Sequence, residues 1–285
     1  MRRRRLLDRL FTAVLVAAGF VTFGLVALVF GLVAARGAGA ISWQFLTEEI
    51  RSVGAEGGVY YQVLGTAILV LTAAVVAVPI AAGAALSLAA YLRAGRVARL
   101  LEGTLHALNG IPSIVYGLFG FAFFFHLLEL KKSWLSGGVL LGLMIVPTVA
   151  VAFLERLRAV PAATIEAASG LGLSRSRVVI SVLVPAARAG LLSGLLLGLA
   201  RAAGETAPIL FTAAIFAGAT VPHGVVDSPV LALPYHIFVM AQDSFDPRVA
   251  QKVWGAAVVL LAFVVTLSLI ALPLRLSAHQ EAHRA

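Results

Sequence analysis

The sequence predicts an all-α integral membrane protein with six transmembrane helices. Hydrophobic residues make up 61% of the 285 residues, charged residues only 12%, and the mean hydropathy is +1.00. Such a chain has too little polar surface to cover a water-soluble globule, so lipid must be most of its solvent. An α-helix needs about 20 apolar residues to cross hydrocarbon. Six apolar runs meet this requirement, at residues 10–35, 61–91, 104–128, 137–154, 189–217 and 254–274.

The first apolar run admits two interpretations, a secretory signal peptide and a retained membrane anchor. Four consecutive arginines precede it, and Ala38, Gly39 and Ala40 offer a small-residue cleavage pattern. The apolar part of a signal peptide has about 7–15 residues, whereas this run is long enough to cross the bilayer. We therefore expect residues 1–9 to form a cytoplasmic basic segment, and residues 10–60 to hold the first transmembrane helix and an extracytoplasmic loop.

Arginine and lysine are distributed unequally between the two sides of the predicted spans. Fifteen of the 22 lie at the N-terminus, in the second and fourth connections and in the tail. Basic residues near span ends stay cytoplasmic, so both termini are expected in the cytoplasm. Nucleic acid is not an expected partner, because the arginines form no single soluble basic face. The fifteen are Arg2 to Arg5, Arg9, Arg93, Arg96, Arg99, Arg156, Arg158, Arg175, Arg177, Arg188, Arg275 and Arg284.

The connection between the fourth and fifth spans, residues 155–188, is the longest on the cytoplasmic side. Pro161 suits a helix start, Gly170 and Gly172 suit a helix stop, and Ser174 can cap a second helix. The pattern predicts a short amphipathic helix held at the membrane surface. By itself, it does not distinguish an ordinary interfacial hairpin from a functional element.

Within this connection, Glu166-Ala167-Ala168 is followed by Gly172 and, nineteen residues after the glutamate, by Pro185. This spacing resembles the EAA signature of binding-protein-dependent ABC importer permeases. The resemblance implies that the loop is a coupling helix that docks on an ATPase subunit, with Glu166, Ala167, Ala168 and Gly172 at the contact. Small residues suit that role because they let two backbones approach closely.

The sequence carries no sign of an enzyme. A P-loop needs a glycine-rich cradle followed by lysine and serine or threonine, and Lys131, Lys132 and Lys252 lie in no such context. ATP and Mg are therefore expected on separate ATPase subunits, with no cofactor bound directly. His279 and His283 lie four residues apart, but the glutamate between them is misplaced for a zinc site, so no metal is expected.

The fifth span carries two charged residues, Arg201 and Glu205, four positions apart in an apolar run. A charge inside a membrane is costly unless it is paired or wet, which favours a functional site. Opposite charges at this spacing can also form a structural ion pair that only locks the helix. Both residues share a helical face with Gly190, Gly194 and Gly198, a face suited to close packing or to a pathway. We favour a substrate pathway, and the structural ion pair remains the alternative.

Three prolines lie inside predicted spans, Pro79 in the second, Pro112 in the third and Pro147 in the fourth. Singly, each is more often a packing kink. Broken helices at membrane depth are tolerated where they face protein or a wet cavity. Three together predict interrupted helices in a core that rearranges around a pathway.

Three further segments narrow the resemblance, residues 109–120, residues 201–208 and Leu233-Pro234. They are similar to the PstA-type permeases of phosphate ABC importers, and the likeness extends over nearly the whole chain from the second span onward. It implies a MetI-like architecture in the cell inner (plasma) membrane. A five-helix permease core at residues 61–274 would contain the coupling loop, and residues 275–285 would form a cytoplasmic tail.

The resemblance also implies the substrate and the assembly. Inorganic phosphate would be delivered by an extracytoplasmic phosphate-binding protein (PstS-like). The chain would work in membrane lipid with a related second permease subunit (PstC-like) and two ATPase subunits (PstB-like). Without the resemblance Arg201 could serve any anion, because a guanidinium binds phosphate, sulfate and carboxylate alike.

A gradient-driven secondary transporter or channel for an anion is the competing hypothesis. It explains the six spans, the intramembrane charges and the prolines. It leaves the long connection from Glu166 to Pro185 without a role, and the spans contain no second ionisable cluster typical of a proton or sodium relay.

Overall fold

The computed structural model describes residues 2–51, 54, 56–92, 95–218, 221–242 and 246–284. Within these ranges, side chains are described for residues 10–270, 272 and 273. Arg93 and the side chains of Arg2 to Arg5, Arg9, Arg275 and Arg284, on which part of the expected orientation rests, lie outside them. The helices are α1 Arg2–Gly37, α2 Trp43–Thr47, α3 Tyr60–Leu86, α4 Arg96–Asn109, α5 Ser113–Phe121, α6 Trp134–Arg158, α7 Ala162–Gly170, α8 Arg175–Val178, α9 Val184–Gly204, α10 Ala207–Thr212, α11 Leu233–Gln242 and α12 Pro247–Arg284.

Short irregular helices and one hairpin complete the described secondary structure. A 3₁₀ turn at Ala38–Ala40 follows α1, and the strands β1 Ile50–Arg51 and β2 Glu56–Gly57 pair antiparallel, with Ile50 opposite Gly57. Wider π-helical turns continue three of the helices. They lie at Ser87–Tyr91 after α3, at Ala122–Leu127 after α5 and at Val179–Leu183 between α8 and α9.

The helical segments account for six spans, one of them strongly bent. Five segments of the described chain are long and apolar enough to cross a membrane, namely Leu10–Ala40, Tyr60–Tyr91, Trp134–Arg158, Arg175–Gly204 and Pro247–Ile270. The sixth consists of Arg96–Asn109 and Ser113–Leu127, which meet at 100°. The six-span prediction therefore holds.

The third span, predicted over residues 104–128 with an interruption at Pro112, is interrupted there and begins earlier, at Arg96. Gly110 donates its N–H to Ala107 O (3.1 Å) in a tight final turn of α4, and Pro112 then takes extended backbone angles (φ −59°, ψ 138°) before α5 begins. Proline lacks an N–H and disfavours helical geometry in the residue before it. The bend separates α4, which buries Leu105 and exposes Arg96 and Arg99, from the apolar helix α5.

Pro79 and Pro147 do not break their helices, contrary to expectation. α3 runs through Pro79 and α6 runs through Pro147 without interruption. In lipid the backbone groups of a helix have no water to bond, so the remaining turns keep their hydrogen bonds across a single proline. Of the three prolines singled out from the sequence, Pro112 alone lies at a break.

The centre of the fold is α6, which packs against α3 on one side and α9 on the other. A Cβ atom added to Gly142 of α6 would lie 2.8 Å from Val76 Cβ, and one added to Gly194 of α9 would lie 2.7 Å from Ala152 Cβ. These distances leave no room for a side chain, so glycine sets how closely the helices approach. The buried residues around this contact include Leu69, Met144, Ile145, Val149 and Phe153.

α1 and α12 lie at the periphery of the described chain. The two helices meet where Gly37 lies against the backbone of Trp254, and the Arg36 guanidinium lies 5.0 Å from the centre of the Trp254 ring. Much of the α1 surface is apolar and exposed, as Phe20 and Phe23 show at 76% and 79% exposure. This surface is suited to lipid or to a neighbouring membrane subunit.

The two ends of the bundle differ in how they are covered. At one end, here called the α11 side, α2, the start of α3, α11 and α12 form a small second core of Phe45, Val59, Leu233 and Ala256. The other end, the α7 side, carries α4, α7 and the ends of α3 and α6. The chain between α10 and α11 is fixed to the start of α6, where Trp134 Nε1 donates to Gly224 O at 2.8 Å.

Candidate functional site

Two places carry the residues singled out from the sequence, and the first is α7. This helix begins directly after Pro161 and ends at Gly170. Gly172 follows in the left-handed region (φ +82°), and its N–H donates to Ser169 O at 3.0 Å while the N–H of Leu173 donates to Ala168 O at 3.3 Å. This pair of bonds is the Schellman ending of a helix, which requires positive φ and therefore favours glycine.

The surface of α7 is almost entirely exposed. Ile165 and Ala168 are half-buried and Ile165 packs against the core, whereas Glu166 and Ala167 face outward. A Cβ added to Gly170 or Gly172 would meet nothing within 4 Å. Ile165 thus anchors a short helix, with a defined C-terminal end, that leaves Glu166 and Ala167 exposed.

The chain after α7 returns into the bundle sooner than expected. Ser174 is the N-cap residue of α8, although its side chain forms no capping hydrogen bond, and the helix then runs continuously from Arg175 to Gly204. The Arg175 guanidinium lies 5.3 Å from the centre of the Tyr91 ring, which ties α8 to the end of α3. The segment that projects from the bundle is therefore residues 159–174, shorter than the predicted connection 155–188.

The second place is the ion pair of Arg201 and Glu205. Arg201 Nε lies 3.3 Å from Glu205 Oε1, with the two side chains 37% and 16% exposed. The fifth span was expected to continue as a helix to residue 217, and this is wrong. α9 ends at Gly204, and Glu205 has extended backbone angles (φ −77°, ψ 128°). The sequence signal for this break is Gly204 followed by Pro208, which enters the first turn of α10.

The glycine ladder and the ion pair serve different surfaces. Gly190, Gly194 and Gly198 pack against α6, at Arg156, Ala152 and Ile145. Arg201 lies one turn beyond this contact, and its side chain is partly exposed. The expected shared face is therefore divided, since its glycines form a packed interface and its charges lie where that interface ends.

The two helix breaks lie side by side. α5 begins after one break and α10 after the other, and a Cβ added to Gly117 of α5 would lie 2.8 Å from Ala207 O and 2.9 Å from the Phe211 ring. Hydrogen bonds hold the first break in place. Tyr116 Oη donates to Leu108 O at 3.0 Å, and Thr148 Oγ1 of α6 donates to Asn109 Oδ1 at 2.9 Å.

Glu205 also borders a narrow cavity toward the α11 side, together with Thr66 of α3 and Pro234 of α11. Thr66 Oγ1 accepts a hydrogen bond from the N–H of Leu233 at 2.9 Å, so α11 is fixed beside the ion pair. The sequence analysis missed this element and the polar residues that hold it. The sequence signal for them was Gln62 and Thr66, two polar residues one turn apart at the start of the apolar helix α3.

A buried polar pair lies further toward the α11 side. Gln62 Nε2 lies 3.5 Å from His236 Nδ1, and the His236 ring stacks on Phe216 with centroids 5.7 Å apart. Burial lowers the pKa of His236 to about 4, so the ring is neutral at neutral pH. Within the described residues no cluster of three or more His, Asp or Glu side chains could hold a metal ion. The side chains of His279 and His283 lie outside this description.

Known proteins are similar to this chain in sequence and in fold. Residues 77–276 match the family described as binding-protein-dependent transport system inner membrane component. The chain is 34% identical over 224 residues to the phosphate transport system permease protein PstA 1 of Mycobacterium tuberculosis (strain CDC 1551 / Oshkosh), covering 78% of this chain and 72% of that protein. It is 30% identical over 269 residues to PstA of Pasteurella multocida (strain Pm70), covering 94% of each.

Among solved structures, the inward-facing MetNI methionine ABC transporter provides a similar chain. The TM-score is 0.51 at 15% identity, covering 80% of this chain and 94% of that chain. At this identity the likeness concerns the fold alone.

Proposed function

Because the chain belongs to the binding-protein-dependent transport system inner membrane components, we propose that it is the permease subunit of an ATP-driven importer of inorganic phosphate. It is a multi-pass protein of the inner membrane. The observation that carries the substrate is the alignment with a phosphate transport system permease over 94% of both chains. An extracytoplasmic binding protein delivers phosphate to the α11 side of this subunit.

ATP is used by partner subunits, and α7 is the segment through which they act. The helix has two half-buried residues, Ile165 and Ala168, is ended by a Schellman motif and is otherwise exposed. Such a short rigid element transmits displacement better than a loop does. Glu166, Ala167, Ala168 and the turn at Gly172 contact one ATPase subunit, and a related second permease subunit with its own ATPase completes the assembly.

The phosphate pathway passes the break between α9 and α10. Arg201 is partly exposed beside this break, and its donors can attract an oxyanion through charge-assisted hydrogen bonds. An unpaired arginine in a narrow path would bind phosphate too tightly for rapid release. The carboxylate of Glu205 at 3.3 Å weakens that attraction and makes the site shallow enough for transport.

The arginine distribution sets the orientation, with the α7 side and both termini in the cytoplasm. The absence of cysteine makes this testable by single-cysteine labelling in whole cells. A cysteine at Ser228 should react with an impermeant maleimide, and one at Ser174 should react only after lysis. The reverse pattern would overturn the orientation.

Phosphate uptake in reconstituted vesicles tests the function. The chain, co-purified with its partner permease and ATPase subunits, is placed in vesicles containing ATP, and the binding protein and labelled phosphate are added outside. Uptake should require ATP, persist with a protonophore and resist competition by sulfate. Uptake that needs no ATP and collapses with the protonophore would instead support a gradient-driven anion transporter.

A further inference from the structure

The end of α6 next to α7 carries a long-range ion pair. Arg158, the last residue of α6, donates from Nη1 to Glu102 Oε1 at 2.7 Å and from Nη2 to Glu102 Oε2 at 2.9 Å. Glu102 lies in the middle of α4. Two parallel hydrogen bonds between a planar guanidinium and a carboxylate resist both separation and rotation, which a single point contact does not.

A second side-chain contact joins α4 to α6. It is the hydrogen bond from Thr148 Oγ1 to Asn109 Oδ1 at 2.9 Å, at the end of α4 where the chain bends by 100°. Glu102 and Asn109 are two turns apart on α4, so the helix is held to α6 along its length. Beyond the bend, α5 packs against α10 beside Glu205.

Arg158 is also the residue at which α6 ends, close to the start of α7 along the chain. Residues 159–161 separate α6 from α7, and the N–H of Ala159 still donates to Glu155 O at 3.1 Å. A displacement of α7 therefore moves the end of α6 with little slack in between.

We propose that the Glu102–Arg158 pair transmits the movement of α7 to α4. From α4 the movement passes through the bend at residues 109–112 to α5, and so to the phosphate pathway at the break between α9 and α10. The proposal rests on the permease function proposed above. In it, α6 holds α4 at two points, near its middle at Glu102 and at its end at Asn109, where the chain bends. Glu102 and Arg158 are positioning residues that touch neither phosphate nor nucleotide.

The Glu102–Arg158 pair is partly exposed, so its proposed role can be tested without unfolding the subunit. Arg158 is 50% and Glu102 33% exposed, and ion pairs at such sites contribute little to stability. Substitution should therefore leave the subunit folded and assembled while weakening the link between α4 and α6.

Charge exchange in the complete complex tests the proposal. The variants are Arg158→Glu, Glu102→Arg and the double exchange, measured for phosphate uptake and for ATP hydrolysis stimulated by the binding protein. Each single variant should assemble, hydrolyse ATP and lose about tenfold or more of its uptake per ATP, within the usual range of coupling between sites. The double exchange should regain most of that loss, because it restores the pair with its charges reversed.

Two controls make the outcome decisive. Arg96→Glu reverses a charge on the exposed face of α4 and should keep normal uptake per ATP, and Arg158→Lys keeps the charge without the paired donors and should be intermediate. Normal uptake per ATP by Arg158→Glu would overturn the proposal, as would a double exchange that assembles without recovery. If the wild-type complex shows no ATP-dependent phosphate uptake, the proposed function fails instead, and the two failures are distinct.

Discussion

Glycine lies at the contacts of α6 with its neighbours and also at the end of α7, but it does different work in the two regions. Gly142 and Gly194 lie where a Cβ would come within 3 Å of a facing side chain, so the missing side chain is what matters. Gly172 has free space around it and a φ of +82°, so its backbone conformation matters. The first region, here called the closed region, is tightly packed, whereas the second is an ordered and exposed surface where we propose that an ATPase subunit binds.

The largest effect is expected from overpacking the closed region. Gly142→Leu would drive a side chain into Val76 and should destabilise the subunit by about 3 kcal/mol. Gly103 of α4 has nothing within 4 Å of an added Cβ, and Gly103→Leu is the matched control, expected to lose no stability and to gain up to about 1 kcal/mol because glycine is a poor helix former. Thermal unfolding in detergent measures both. Equal stability of the two variants would contradict the division between closed and open regions.

The next effect concerns Arg201 and Glu205, which lie where the glycine contact ends. Arg201→Gln and Glu205→Gln should each reduce phosphate uptake about tenfold, and the double variant should lose much less than the product, with an interaction energy of about 1–3 kcal/mol. Assembly must be checked in each, because an unpaired charge in a membrane protein can destabilise it.

Uptake by these variants decides between a pathway and a structural pair. If Arg201→Gln assembles and carries phosphate at the wild-type rate, the pathway role is wrong and the pair is structural. Loss of assembly in both single variants, with recovery of assembly in the double variant, would likewise show that the pair is structural.

The smallest effect is expected at Gly172. Gly172→Ala places a side chain on a left-handed backbone and should weaken the end of α7 by about 1 kcal/mol, while Gly172→Asn should be tolerated better because asparagine adopts this conformation more readily. Capture of the ATPase subunit and phosphate uptake should fall with alanine and fall less with asparagine. Equal behaviour of the two would mean that the contact, and not the backbone, requires glycine.

Three prolines show how far sequence patterns reach into this fold. Pro79, Pro112 and Pro147 all interrupt apolar runs, yet the helix breaks at Pro112 alone among them. Asn109 and Gly110 precede Pro112, and Thr148 holds the Asn109 side chain across the gap. Pro147 is buried in a helix packed on several sides, which keeps it continuous.

The sequence by itself determined the membrane class, the six spans and the limits of α7. Long apolar runs indicate membrane spans, and the residue types at helix starts and ends are local signals that can be read along the chain. Only the tertiary structure decided the 100° angle of the bend, the division of the fifth helix into a packed face and a charged end, and the pairing of Glu102 with Arg158. These features join residues as far as 56 positions apart. Which distant residues meet depends on how all the helices fill space together, and no local pattern records that.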